Sequence, residues 1–287
     1  MKRAALYSSA SGLQRKDAAE VLEEYMARIN WSNGDTVLDV GCGSGDVTAS
    51  LLLPGLPHTC QRVLGVDVSH DMVQYAACTH QYPRLHFIQG DIAMEHLKRS
   101  ELWREAGPGF HKIFSFFCLH WIQEQRRALR NIHALLRKHG EALLVFLASC
   151  PIYTMYEALA KKPEWKEYMQ DVSRFVSPYQ HSEDPAEEFA TLLHDVGFTS
   201  VDCKIRESCH EFDSIDNLTE SLKAVNPFLD RVPLNLQDDF LMDSLCEIHK
   251  LKLATGVEPN DDNNNNNEPA SGKITAHYNL LIAHVKK

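Results

Sequence analysis

The chain has 287 residues, 44% hydrophobic and 24% charged. This composition can bury a core, and it excludes a collagen-like, wholly disordered or small disulfide-stapled protein. Asp and Glu number 39 against 29 Lys and Arg, a formal net charge of -10, which argues against binding nucleic acid through broad phosphate contacts. Eight cysteines include no C-x-x-C pair, so neither a zinc ribbon nor a thioredoxin motif is expected. Cys118 and Cys150 lie in apolar stretches and read as reduced thiols of a cytoplasmic protein. The start, MKRAALYSSA, has no apolar run behind its basic residues, and the most apolar window, Ala142–Ala160, contains Pro151 and Glu157. Neither a signal peptide nor a membrane span is expected.

Ala18, Val21, Leu22, Tyr25, Met26 and Ile29 fall on one face of a helix. Thr36–Val40 then reads as a short buried strand followed at once by glycines. From there strand signals (62–68, 85–89, 112–119, 142–148) alternate with helix signals (71–81, 125–138), the last ending in Lys138, His139 and Gly140 as a helix C-terminus prefers. Such alternation implies a parallel sheet covered by helices on both faces. After Pro151 the pattern is irregular and aromatic. A helix starts at Asp184, with Asp184 as N-cap, Pro185 at N1, Glu187 at N3 and Gly197 past its end. A strand over 201–205, helices over 215–225 and 236–253, and a final strand through Val285 complete the reading, with no internal repeats. The DDNNNNN run, 261–267, reads as a disordered loop.

The strongest motif is LDVGCGSG, Leu38–Gly45, between a strand and a helix. Gly41, Gly43 and Gly45 let the backbone turn sharply and approach a ligand. The dinucleotide fingerprint needs a small residue at position 46, which is Asp, and the P-loop pattern is absent. Asp67 ends the next strand, where a carboxylate can accept both hydroxyls of a ribose; that supports a nucleoside without choosing between a nicotinamide cofactor and an adenosyl one. Gln89-Gly90-Asp91-Ile92 closes the third strand. Each element alone could be an ordinary turn or cap.

The run Asp39–Gly45, D-x-G-x-G-x-G, resembles motif I of class I S-adenosylmethionine-dependent methyltransferases. The resemblance narrows at Tyr7…Leu13-Gln14-Arg15-Lys16-Asp17-Ala18…Leu22-Glu23-Glu24-Tyr25 and at FSFFCLHWI, Phe114–Ile122, which look like insect juvenile hormone acid O-methyltransferases. More distant relatives with L-x-W here include trans-aconitate methyltransferases. The resemblance implies an α/β, Rossmann-like class I methyltransferase fold: a mostly parallel seven-stranded sheet with helices on both faces and a helical cap over the substrate site. It implies an N-terminal helical lid (1–35), a cofactor-binding core (36–150), and a remainder (151–287) carrying the cap and an Asn-rich loop near 258–272. S-adenosylmethionine, leaving as S-adenosylhomocysteine, would be held by Asp39, Gly41, Gly43, Gly45, Asp67, Val68, Asp91, Ile92 and Ser115. Gln14 and Trp121 match the positions that hold the substrate carboxylate, with His120, Tyr153 and Tyr156 as further substrate contacts. His120 reads equally well as a satisfied histidine facing Trp121.

The substrate implied is farnesoic acid or juvenile hormone acid, in a tunnel to which Met155, Trp165, Tyr168, Met169 and Phe175 are also candidates or else ordinary cap core. A carboxylate ionises near pH 4 and needs no general base, and no metal ligand set stands out among the 15 histidines. A small apolar acid is the expected partner, without nucleic acid or membrane span; a homodimer is compatible with the sequence. Two other readings stay open: methylation of another small carboxylate such as aconitate, and a non-catalytic scaffold that keeps the glycine loop only as fold geometry.

Overall fold

The computed structural model describes Ala4, Tyr7, Ser8, residues 11–256 and residues 273–287. The Asn-rich run lies outside the described residues. The elements are α1 (Gly12–Tyr25), β1 (Thr36–Val40), α2 (Leu53–Gly55), β2 (Arg62–Asp67), α3 (His70–Thr79), β3 (Leu85–Gln89), α4 (Glu101–Ala106), β4 (Phe110–Phe116), α5 (Gln125–Leu135), β5 (Leu136–Ser149), α6 (Pro151–Leu159), α7 (Pro185–Val196), β6 (Ser200–Phe212), α8 (Ile215–Val225), α9 (Gln237–Lys250), β7 (Ala254–Thr255) and β8 (Ile274–Lys286). Side-chain caps set several helix starts: Ser69, Ser100, Asp184 and Ser214 each accept the N–H three residues on, satisfying donors that helix starts leave orphaned.

The sheet order is β3-β2-β1-β4-β5-β8-β6, with the short β7 pairing β8 beyond that path. Strands β1 to β5 pair in parallel, while β8 runs antiparallel between β5 and β6. The sheet is therefore the expected mostly parallel one, with a reversed strand that no sequence pattern announced. Alternation along the strands divides the core. Val37, Val63, Phe114 and Val145 face α1, α6, α8 and α9; Leu38, Leu64, Ile113 and Leu144 face α4, α5 and α7. Chain order reverses between β1 and β4, and at such a switch point the crevice beyond the strands' carboxyl ends receives ligands.

The largest differences from the sequence reading lie at two places. Helix α5 stops at Leu135, and β5 begins at Leu136, well before Ala142. The cation at the helix end is not Lys138 but Lys287, whose Nζ donates to the carbonyls of His133 (2.6 Å) and Leu136 (2.7 Å). Strand β6 runs on to Phe212 because β8 pairs it along its whole length; its polar half-exposed residues, as on many edge strands, hid it.

At the opposite end of the sheet Glu141, 3% exposed, gathers Lys112 (3.2 Å), His284 (3.0 Å), Lys286 (3.4 Å) and the Asn30 N–H (3.0 Å). Burial opposes its ionisation, but the Asn30 N–H and Lys112 outweigh that and hold the carboxyl below the usual carboxylate range. Glu141→Ala would leave Lys112, itself 5% exposed, to its longer contact with Asp35 (3.9 Å), and should cost about 3 kcal/mol in urea unfolding at neutral pH. A depressed carboxyl stabilises the fold above the unfolded pKa and loses that contribution as pH falls through the folded one. The difference between wild type and variant should therefore shrink on acidification.

Candidate active site

The loop after β1 is built on backbone that only glycine adopts readily. Gly41 has φ +74°, and a Cβ there would lie 2.3 Å from the Cβ and Sγ of Cys118. The close approach brings the loop after β1 against the segment after β4. Gly41 and Cys42 both donate to the Val66 carbonyl (2.7 and 3.1 Å), which ties the loop to β2.

A small crevice above this loop is lined by Asp39, Gly41, Cys42, Gly43, Ser44 and Asp46, with Tyr7, Ser11, Gln14 and Phe117 among the residues closing it. Asp67 lies beside it: Oδ2 accepts the Gly43 N–H (3.0 Å) and Oδ1 the Ser69 N–H (2.8 Å). These bonds fix the carboxylate and leave further lone pairs for a ligand. Burial raises the Asp67 carboxyl despite these two N–H donors. Burial also lifts Asp39 to about 7, opposed by the Thr48 hydroxyl (2.5 Å) and reinforced by Asp67. Val68, Asp91 and Ile92 are not among the residues lining the crevice: Val68 is 65% exposed, Ile92 is buried, and Asp91 is exposed and accepts the Ala93 N–H (2.7 Å).

Gly43 and Gly45 complete the loop as expected, both at positive φ, although Gly45 is packed under it toward Phe87 and Ala76. Ser115 presents nothing to the crevice: it is wholly buried, and its Oγ donates to the Val40 carbonyl (2.9 Å), tying β4 to β1. Among the described residues no Lys or Arg lines the crevice. A carboxylate-rich lining suits a ligand bearing ammonium and sulfonium groups, and is wrong for a pyrophosphate.

A second cavity of about 130 Å³ adjoins the first and shares Tyr7, Gln14 and Phe117 with it. Phe117 has φ +54°, a conformation that costs a non-glycine residue of order 1–3 kcal/mol; its N–H is held by the Val145 carbonyl (2.8 Å). The cavity is lined at this end by Gln14, His120, Trp121 and Tyr153, and beyond them mostly by apolar side chains from β6, α8, α9 and β8, with His210, Ser221 and Tyr278 among them. Among the described residues no Lys, Arg, Asp or Glu lines it.

His120 is 2% exposed, and burial pulls its imidazole down to about 3. Its Nδ1 lies 3.4 Å from the Leu147 backbone N–H, which can only donate. The neutral ring therefore carries its proton on Nε2. Gln14 Oε1 and the Tyr153 hydroxyl are buried without hydrogen-bond partners. Tyr156 is not part of the cavity wall; it is buried edge-on to Phe228 at 5.3 Å. Met155, Trp165 and Met169 are likewise cap core, Trp165 donating to Asp243 (2.6 Å), so of the aromatic stretch after β5 only Tyr153 reaches the cavity.

The residues missed by sequence reasoning include four from the far strands. His210 and Phe212 on β6, and Ala276 and Tyr278 on β8, share the cavity-facing side at period two. That spacing was visible, but not which face would be roofed.

Residues 37–140 match the model of a methyltransferase domain. Over its full length the chain is 38% identical to the juvenile hormone acid O-methyltransferase of Drosophila melanogaster, covering 93% of that protein, and 35% identical to that of Bombyx mori, covering 98%. The chain belongs to the juvenile hormone acid O-methyltransferase family. It is an S-adenosylmethionine-dependent O-methyltransferase, and the crevice over the glycine loop fits that cofactor. The YcgJ protein of Bacillus subtilis shares the fold, with TM-score 0.56 at 15% identity, over 93% of this chain and 98% of that one. No helix among the described residues is long and apolar enough to cross a membrane, and no group of three or more His, Cys, Asp or Glu among them could hold a metal.

A cation bound beside Asp39 favours its carboxylate, lowers its pKa and releases a proton. Calorimetric affinity for S-adenosylmethionine should therefore weaken as pH falls below about 7. Asp39→Asn should bind more weakly at pH 8 and lose most of that dependence; an unchanged pH profile in the variant would assign it to another group.

Proposed function

We propose that this chain methylates the carboxylate of a long apolar monocarboxylic acid, farnesoic acid or juvenile hormone acid, in the cytoplasm. The observation that carries this reading is the second cavity. Most of its lining is apolar, Gln14, His120 and Trp121 stand at one end of it, and among the described residues no charged side chain lines it. One carboxylate can be met there by neutral donors. The additional carboxylates of an aconitate-like acid would be desolvated with no counter-ion, which is expensive. The two named relatives act, by their names, on juvenile hormone acid.

When bound, S-adenosylmethionine supplies a methyl group on a positively charged sulfur. In the proposed complex Asp39, Gly41, Gly43 and Asp67 hold it, with Val68, Asp91 and Ile92 at its adenine end. The amide N–H of Gln14, the indole N–H of Trp121 and the Nε2–H of His120 orient the acid's carboxylate, and the Tyr153 hydroxyl finds its missing acceptor there. The substrate is already ionised, with a carboxyl pKa of about 4, so no residue needs to remove a proton. Catalysis rests on alignment of the two reactants and on exclusion of water from the carboxylate by the apolar wall. Residues 1–35 serve as the lid, 36–150 as the cofactor core, and the helices of 151–287 as the substrate cap.

Gln14→Ala and Trp121→Leu should each lower kcat/KM for farnesoic acid by about 10–100-fold, the worth of a hydrogen bond to a charged group. Trp121→Leu should leave affinity for S-adenosylhomocysteine nearly unchanged. In a panel with labelled cofactor, farnesoic acid should give methyl ester, while trans-aconitate and a short fatty acid should give little; ester from aconitate alone would overturn the substrate assignment. Because burial keeps His120 neutral down to about pH 3, kcat at saturating cofactor should be flat from pH 6 to 8. A histidine-like limb in that range would remove His120 as a neutral donor.

A further inference from the structure

Helix α1 lies across β6 and β8, and one of its buried residues is a carboxylate. Asp17 is 1% exposed. Its Oδ2 accepts from the Tyr278 hydroxyl (2.6 Å) and its Oδ1 from the Ser208 hydroxyl (2.9 Å). Ser208 and Tyr278 are partners across the β6–β8 ladder, and the two hydroxyls are 3.2 Å apart. The carboxylate thus straddles a single rung of the sheet.

Two neighbours give this contact a consequence. Tyr278 is part of the substrate cavity wall, as is His210, two residues beyond Ser208 on the same face of β6. Gln14 precedes Asp17 by three residues on the same face of α1, and it lines both cavities with its Oε1 unpartnered. A long flexible amide with no bond to the protein at that oxygen is aimed only as well as the backbone beneath it is held. Elsewhere α1 is tied to β6 by Lys16 to the Cys209 carbonyl (3.2 Å) and by Glu24 to Lys204 and Arg206, contacts more exposed to solvent. Asp17 makes the buried tie, one helical turn from Gln14.

We propose that Asp17 is a positioning residue for methyl transfer: bridging Ser208 and Tyr278, it locks α1 in the register that presents the Gln14 amide to the substrate carboxylate. The role rests on the carboxylate clamp proposed above. Asp17 touches neither reactant and acts through Gln14, which distinguishes it from a residue that only stabilises the fold.

A double-mutant cycle separates the two roles. Asp17→Ala in the wild-type background should lower kcat/KM for farnesoic acid about tenfold, mostly through KM. In a Gln14→Ala background the same change should lower it less than twofold further. Ser208→Ala, which removes one of the two hydroxyls, should give a smaller loss with the same dependence on Gln14, and it carries the test if Asp17→Ala does not fold. An equal fold-loss in both backgrounds, or no loss in the wild-type background, overturns the proposal. Gln14→Ala alone reports on the clamp: undiminished kcat/KM there removes the reading beneath. A normal Gln14→Ala loss with additive Asp17→Ala removes only the role of Asp17.

Discussion

The close approach of Gly41 to Cys118 is the contact on which the reactive end of this protein depends. The turn at Gly41 is left-handed, and the space a side chain would fill is already taken by Cys118. Because it fits, the loop after β1 and the segment after β4 meet at the point where strand order reverses. The first carries the glycines and the second carries Phe117, His120 and Trp121. Moving either apart would separate the two cavities that must share a wall.

Those cavities are opposite in electrical character. The crevice over the glycine loop is rich in carboxylates, and burial drives Asp39 and Asp67 toward protonation. The larger cavity offers neutral donors in an apolar surround, and there burial does the reverse to His120, stripping its charge. In the proposed complex one site thus draws a positively charged donor and the other accommodates a single negative charge. Tyr7, Gln14 and Phe117 form the partition. Tyr7, a phenol neutral at pH 7 in any case, has its pKa pushed further up by burial, Asp67 and Asp46.

The cap follows from the same logic. A cavity for a long apolar chain needs mostly apolar walls, and Phe212, Leu218, Leu222, Val225 and Ile248 on β6, α8 and α9 supply them while the rest of those apolar faces fill the core. The aromatic stretch after β5 serves mainly to hold that cap together, as Trp165 against Phe240 and Tyr156 against Phe228 show.

The sequence by itself determined the glycine loop, the acidic ends of β2 and β3, the alternating units of the sheet and the Asp184 cap, because each is written in neighbouring residues. Gln14, His120 and Trp121 were legible through their resemblance to a family. What only the tertiary structure decided lies far apart in the chain. The reversed strand β8, the extent of β6, the capping of α5 by Lys287 and the contact of Asp17 with Ser208 and Tyr278 all join distant segments. Local periodicity says which side of an element is apolar but not what will cover it. For that reason Tyr156 reads like Tyr153, yet one is sealed in the core and the other faces the cavity. Ser115 likewise reads as a ligand residue, although its position within β4 turns its hydroxyl to the Val40 carbonyl.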